Sequence, residues 1–211
     1  MNPPRNLEIE IKLQLESFTD YLKLVGSLSP IQDEDHHFNV FFDSADRKLS
    51  QSGAALRLRA EGKRGLVTFK SSISQKGSAV IRREIEAEIN RASAIEIMTG
   101  RSDVLSLDEE PVRVVREEFE GVSLVKLVEF HNDRQSKVFR IGDYDYTLEI
   151  DKTEFGDGSV DYELEVELQH EGQLEVVEDK LRRMFEKLDI PYQRQKQSKL
   201  ERALERTPQP G

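Results

Sequence analysis

Five pairs of like charges stand two residues apart in this chain of 211 residues: Glu8 and Glu10, Arg57 and Arg59, Glu84 and Glu86, Glu149 and Asp151, Glu165 and Glu167. Glu163 extends the last pair. In a β-strand, residues i and i+2 leave the same face at close range, where like charges repel. Folding alone does not require them. A single pair is read most simply as a solvated outer face. Five pairs resist that reading, because a wet face ordinarily mixes in Ser, Thr and Asn. The alternative is that the charged faces converge on one interior, acid pairs opposite basic pairs, around a charged ligand. Carboxylates in such a place can hold divalent cations against phosphate oxygens, and arginine forks can grip the remaining oxygens.

The bulk composition narrows the chemistry. Hydrophobic residues make up 36% and charged residues 34%, with a net charge of -10. An acidic chain without a clustered basic face is a poor match for nucleic acid, so the expected partner is a small anion bridged by cations. There is no cysteine, which excludes disulfides, thiolate zinc and a cysteine nucleophile. His36, His37, His131 and His170 lack metal-ligand spacing and read as ordinary surface or strand histidines. No P-loop, dinucleotide fingerprint, G-x-S-x-G elbow or H-E-x-x-H is present. The N-terminus lacks the apolar run of a signal peptide, and no stretch is long and apolar enough to span a membrane. The expectation is a cytoplasmic protein with no membrane partner, as a monomer or homodimer.

The elements that must position these charges follow from periodicity. Leu7 to Leu15 alternates apolar residues with Glu8, Glu10, Lys12 and Gln14, and predicts a strand. A helix follows over 17–28, capped by Ser17. Strands are predicted over 36–43, 56–60, 66–71, 79–89, 123–130, 137–141, 146–152 and 162–168, with a polar turn between 130 and 137. Glu109 to Arg116 is ambiguous. Short helices are expected over 92–99 and 195–205. An amphipathic helix over 173–188 carries Leu174, Val177, Leu181, Phe185 and Leu188 on one stripe. If the charges point inward, such helices must cover the apolar outside. The expected architecture is α+β: a closed antiparallel β-barrel, or tunnel, with peripheral helices. It would form one domain over 1–206, followed by a loose tail over 207–211.

The order of motifs resembles the CYTH family, the triphosphate tunnel metalloenzymes. Glu8-Ile-Glu10-Ile-Lys12 is similar to its E-x-E-x-K opening. Phe42-Asp43, Leu49, Gly53 and Leu56-Arg57-Leu58-Arg59 resemble its F-D…L…G…L-R-x-R segment, with Lys70 following. Arg82-Arg83-Glu84-Ile85-Glu86 resembles an R-x-E-x-E strand. Leu148 to Asp151 and Glu163 to Leu168 resemble the acidic C-terminal strands, and Ser198-Lys199-Leu200 the closing S-K-L. The likeness runs from Leu7 to about Ala203. Asn132 departs from it, standing where relatives often carry a basic residue two positions before Arg134.

The resemblance implies a Mg²⁺- or Mn²⁺-dependent triphosphatase. Lys12, Arg57, Arg59, Lys70, Arg134 and Lys199 would bind the triphosphate. Lys126 and Lys137 are alternatives to Arg134, and Lys196 to Lys199. Glu8, Glu10, Glu149, Asp151, Glu165 and Glu167 would hold the cations. Glu84 and Glu86 would join Glu8, Glu10 and Lys12 around the reacting phosphate. Glu88 and Glu163 are assigned supporting or solvent-facing places. The leading substrate is inorganic tripolyphosphate, split to pyrophosphate and phosphate. Thiamine or nucleoside triphosphatase, class IV adenylyl cyclase and a non-catalytic polyphosphate-binding module are the alternatives.

Overall fold

The computed structural model describes residues 7–76 and 79–207; the side chains of residues 7, 8, 73–76 and 79–81 fall outside the described set. In chain order the elements are β1 (Leu7–Leu15), α1 (Phe18–Leu28), β2 (Asp33–Asp43), α2 (Lys48–Gln51), β3 (Ala54–Glu61), β4 (Arg64–Lys76) and β5 (Ala79–Asn90). Then come α3 (Arg91–Met98), α4 (Glu110–Glu118), β6 (Val125–Ile141), β7 (Tyr144–Phe155), β8 (Val160–Glu167), α5 (Leu174–Lys187), β9 (Gln193–Arg194) and α6 (Lys199–Arg206).

The strands form one nine-stranded antiparallel sheet in the order β5-β4-β3-β2-β6-β7-β8-β1-β9. This corrects the expected closed barrel. The sheet curls until β5 reaches β1, but the two are staggered and pair only from Leu7↔Arg83 to Ile11↔Ala79. Beyond Ile11 that edge of β1 carries β9, through Leu13↔Arg194 and Gln14↔Gln193. Among the described residues, Glu84–Asn90 of β5 has no strand on that side. The result is a curled sheet with an open seam.

Its core lies outside the curl. Ile11, Leu13, Ile150, Leu164 and Val166 pack under α1 and under Val177, Leu181 and Phe185 of α5. Leu56, Leu58, Val67, Phe69 and Ile85 pack under α3 and α4. Period-two strands therefore turn their apolar rows toward the helices and their charged rows inward. Gly65 permits the close seat of α3 on β4: a Cβ there would stand 2.6 Å from the Ala94 Cβ.

Several elements depart from the periodicity. The polar run 131–136 is no turn but the middle of β6, a 17-residue strand paired with both β2 and β7. Its polarity arises because Asn132 and Arg134 line a charged interior. The ambiguous 109–116 stretch is α4, with Pro111 in its first turn. The last helix begins later than expected, at Lys199. There Ser198 accepts from the Glu201 N–H (3.1 Å) and the Glu201 carboxylate accepts from the Ser198 N–H (2.6 Å), a capping box. The preceding Gln193 and Arg194 are strand. The short α2 was not foreseen; the buried Asp43 carboxylate accepts from the N–H groups of Leu49 (2.9 Å) and Ser50 (3.0 Å).

Candidate functional site

The inward rows of the strands enclose a cavity of about 780 Å³, within the size range of small-molecule sites. Glu10, Lys12, Arg57, Arg59, Lys70, Glu84, Glu86, Arg134, Glu149, Glu165, Glu167 and Lys199 all line it. Of the other sequence-expected residues, Asp151 is fully buried beneath the lining. Glu8 lies opposite Arg82 in the β1–β5 register, but its side chain falls outside the described residues.

One wall is basic. Arg57 and Arg59 leave β3 on the same face. Arg57 Nη2 donates to Thr68 Oγ1 at 3.2 Å and lies 3.5 Å from Glu86 and 3.9 Å from Glu84. Lys70 Nζ sits 2.7 Å from Glu84. Arg59 Nη1 lies 3.3 Å from Glu61. The Nε groups of both arginines are buried with no hydrogen-bond partner in the protein. A buried unsatisfied donor is costly. Burial, with Arg57 and Arg134 nearby, lowers the Arg59 guanidinium to about 10.

The opposite wall is a dense carboxylate cluster with its own cations. Asp151 accepts from Arg134 Nε (2.8 Å) and Nη2 (2.6 Å), from Asn132 Nδ2 (3.0 Å) and from Lys199 Nζ (2.8 Å). Glu165 accepts from Lys12 (2.5 Å), Arg134 (2.6 Å) and Lys199 (3.1 Å). Glu163 pairs with Lys199 and, at 2.5 Å, with Arg202. Glu149 pairs with Arg134.

The charges are strongly coupled. Burial would raise the Asp151 carboxyl, but Arg134 and Lys199 outweigh it and hold it low. Glu165 is likewise held well down by Lys12, Lys199 and Arg134 against burial. Lys12 is held up by Glu10, Glu165 and Glu163 despite its burial. Glu149 is the exception: burial raises it and Arg134 only partly compensates.

Ligand oxygens of Asp151, Glu163 and Glu165 lie within 4.8 Å of one another. An all-carboxylate set suits a hard cation such as Mg²⁺ or Mn²⁺, so the donor chemistry fits the metal that the fold implies. The cluster differs from the expected metal set in including Glu163, which was assigned a supporting or solvent-facing place and is only 1% exposed. Glu10 instead pairs with Arg82 at 2.5 Å and Lys12 at 3.2 Å.

Other side chains were missed by sequence reasoning. Arg82 lines the cavity; its parity with Glu84 and Glu86 was the available signal. His37, Asn39 and Asn132 also line it and are buried. His37 is a strand histidine as read, on β2, but a buried one: burial, with Arg59 and Arg134, lowers its ring to about 3. The remaining three histidines are exposed. Lys126 pairs with Glu129, Lys137 donates to the Pro30 carbonyl at 2.7 Å, and Lys196 is exposed; none of the three lines the cavity, whereas Arg134 and Lys199 do.

Residues 6–203 match the CYTH domain model. The chain belongs to the CYTH family. Among solved structures, this CYTH chain is similar to a Hippeastrum protein, an adenylyl cyclase candidate described as revealing a dominant triphosphatase activity. The two share 28% identity over 96% of this chain and 98% of that one, with a TM-score of 0.85. An adenylate cyclase candidate from Bacillus halodurans (19% identity, 93% and 98% covered, TM-score 0.71) shares the fold. So does the PH1819 protein of Pyrococcus horikoshii OT3 (20% identity, 94% and 99% covered, TM-score 0.60). No curated protein matches the chain. No helix among the described residues is long and apolar enough to cross a membrane.

Proposed function

We propose that this protein hydrolyses inorganic tripolyphosphate to pyrophosphate and phosphate in a Mg²⁺- or Mn²⁺-dependent reaction. The observation that carries the reading is one cavity lined by Arg57, Arg59, Lys70, Arg134 and Lys199 together with Glu10, Glu149, Glu165 and Glu167, which the Asp151–Glu163–Glu165 carboxylates reach at Glu165. The 28%-identical Hippeastrum protein, with its reported triphosphatase activity, supports the same class.

Phosphoryl transfer asks a protein mainly for positioning and charge neutralisation. Arg57, Arg59, Lys70 and Arg82 would take phosphate oxygens from one wall, and Lys12, Arg134 and Lys199 from the other. Asp151, Glu163 and Glu165 would hold a divalent cation, with Glu10, Glu149 and Glu167 around it; the Glu8 side chain lies outside the described residues. When bound, the cation would neutralise charge on the phosphates and lower the pKa of a bound water. Glu84 and Glu86 would hold Lys70 and Arg57 in place.

Phosphate release from tripolyphosphate, ATP and thiamine triphosphate should be measured in parallel with Mg²⁺, Mn²⁺ or EDTA. Metal-dependent turnover strongest on tripolyphosphate is the expected result. Preference for an organic triphosphate would reassign the substrate. Cyclic AMP from ATP would favour a cyclase, and binding without turnover a polyphosphate-binding module.

A further inference from the structure

Glu61 closes the inward row that Arg57 and Arg59 begin on β3, and it stands directly opposite His37 of β2. Its carboxylate is buried and divides its two oxygens between different surroundings. Oε2 lies 3.3 Å from Arg59 Nη1 and 3.2 Å from His37 Nε2, both residues of the main cavity. Oε1 accepts from Arg64 Nε at 2.8 Å and lies 2.6 Å from Arg64 Nη2, whose side chain is half exposed. Glu61 and Arg64 line a second, smaller cavity with Asp35, Lys63 and Glu88. Glu61 thus stands behind the main site, anchored from outside, and does not itself line that site.

Arg59 needs such an anchor. Among the described residues its only ion pair is with Glu61. Arg57 and Arg134 are cations close enough to disfavour its charge. With Nη1 held on Glu61, one end of the guanidinium is fixed in a side chain that lines the main cavity.

We propose that Glu61 is a positioning residue of the triphosphate site, orienting the Arg59 guanidinium from behind the cavity wall. The proposal rests on the reading of the cavity as a triphosphate site. A charge-assisted hydrogen bond of this kind corresponds to a loss of about tenfold or more when it is removed. Glu61→Gln keeps the shape and removes the charge. It should lower kcat/KM for tripolyphosphate with Mg²⁺ about tenfold.

The same substitution placed on Arg59→Met should cost less than about twofold, because the residue through which Glu61 acts is gone. Where Arg59→Met turns over too slowly, tripolyphosphate affinity by calorimetry gives the same comparison. An equal loss in both backgrounds would mean that Glu61 merely supports the fold, and would overturn the proposal. Ligand-free crystal structures of the wild type and Glu61→Gln add a test that needs no substrate. A displaced Arg59 guanidinium is expected, and an unmoved one would also overturn the proposal. A wild type that neither binds nor cleaves tripolyphosphate would remove the functional reading instead, while the crystal comparison would still decide what Glu61 does to Arg59.

Discussion

Lys12 of β1 and Glu165 of β8 face each other directly across the strand pair, and the ammonium donates to the carboxylate over 2.5 Å. Both are largely buried, with Glu10, Arg134 and Lys199 around them. The relationship has two faces. It neutralises charge inside the curl, and it ties a carboxylate of the Asp151–Glu163–Glu165 cluster to an ammonium. Removing one partner of such a pair leaves a buried charge uncompensated.

Stability should follow the titration of this pair. Glu165 is held well below the ordinary carboxylate range. Its contribution is complete above an unfolded value of about 4.3 and is lost as pH falls toward the folded value. Lys12 is held above its ordinary range. Its contribution is complete below an unfolded value of about 10.4 and is lost as pH rises through the folded one. Thermal melts across pH should therefore fall off at both ends, with the buried His37, lowered to about 3, adding its own loss as pH falls below its unfolded value of about 6.5. Glu165→Gln should flatten the acid limb; an unchanged limb would place the acid sensitivity elsewhere.

Arg57→Ala tests the basic wall. The arginine's pairs with Glu86 and Glu84 are long, at 3.5 and 3.9 Å, so the fold should lose little. Tripolyphosphate affinity should fall about ten- to a hundredfold, the scale of lost hydrogen bonds to a charged group. Calorimetry and a thermal melt on the same variant separate the two effects. Unchanged affinity would remove Arg57 from the site.

Ligand binding should relieve the repulsion among the cavity charges. Tripolyphosphate with Mg²⁺ at about a hundred times its Kd should add about 2.7 kcal/mol of stability, or roughly 5–10 °C in Tm for a chain of this size. EDTA should remove the part that depends on the Asp151–Glu163–Glu165 cluster. Asp151→Asn should remove that metal increment while leaving a metal-free shift. A metal increment surviving in that variant would clear Asp151 of the role.

The outer core can be tested without touching the site. Phe185 is fully buried where α5 covers the sheet. Phe185→Ala should cost about 3–5 kcal/mol, seen as a lower denaturant midpoint. A change below about 1 kcal/mol would mean that the helix collapses readily into the gap.

Much of this was legible along the chain. Alternation in Leu7–Leu15 and the like-charge pairs are properties of strand parity, so the apolar and charged rows could be separated without coordinates. Ser17 and the apolar stripe of α5 marked helices by local chemistry. Parity also held a signal that went unused, since Arg82 shares a face with Glu84 and Glu86, and Glu61 with Arg57 and Arg59. Only the tertiary structure decided how the rows meet. The five-pair overlap of β1 with β5, which leaves a seam in place of a closed barrel, depends on strand stagger, and stagger has no local signature. The continuity of β6 through its polar centre depends on what faces it. Glu163 and His37 are buried because distant elements close over them: Arg202 and Lys199 of α6 for one, Glu61 of β3 for the other. Charge pairing across the curl joins residues more than a hundred positions apart, and its energy depends on distance and burial that only the folded chain sets.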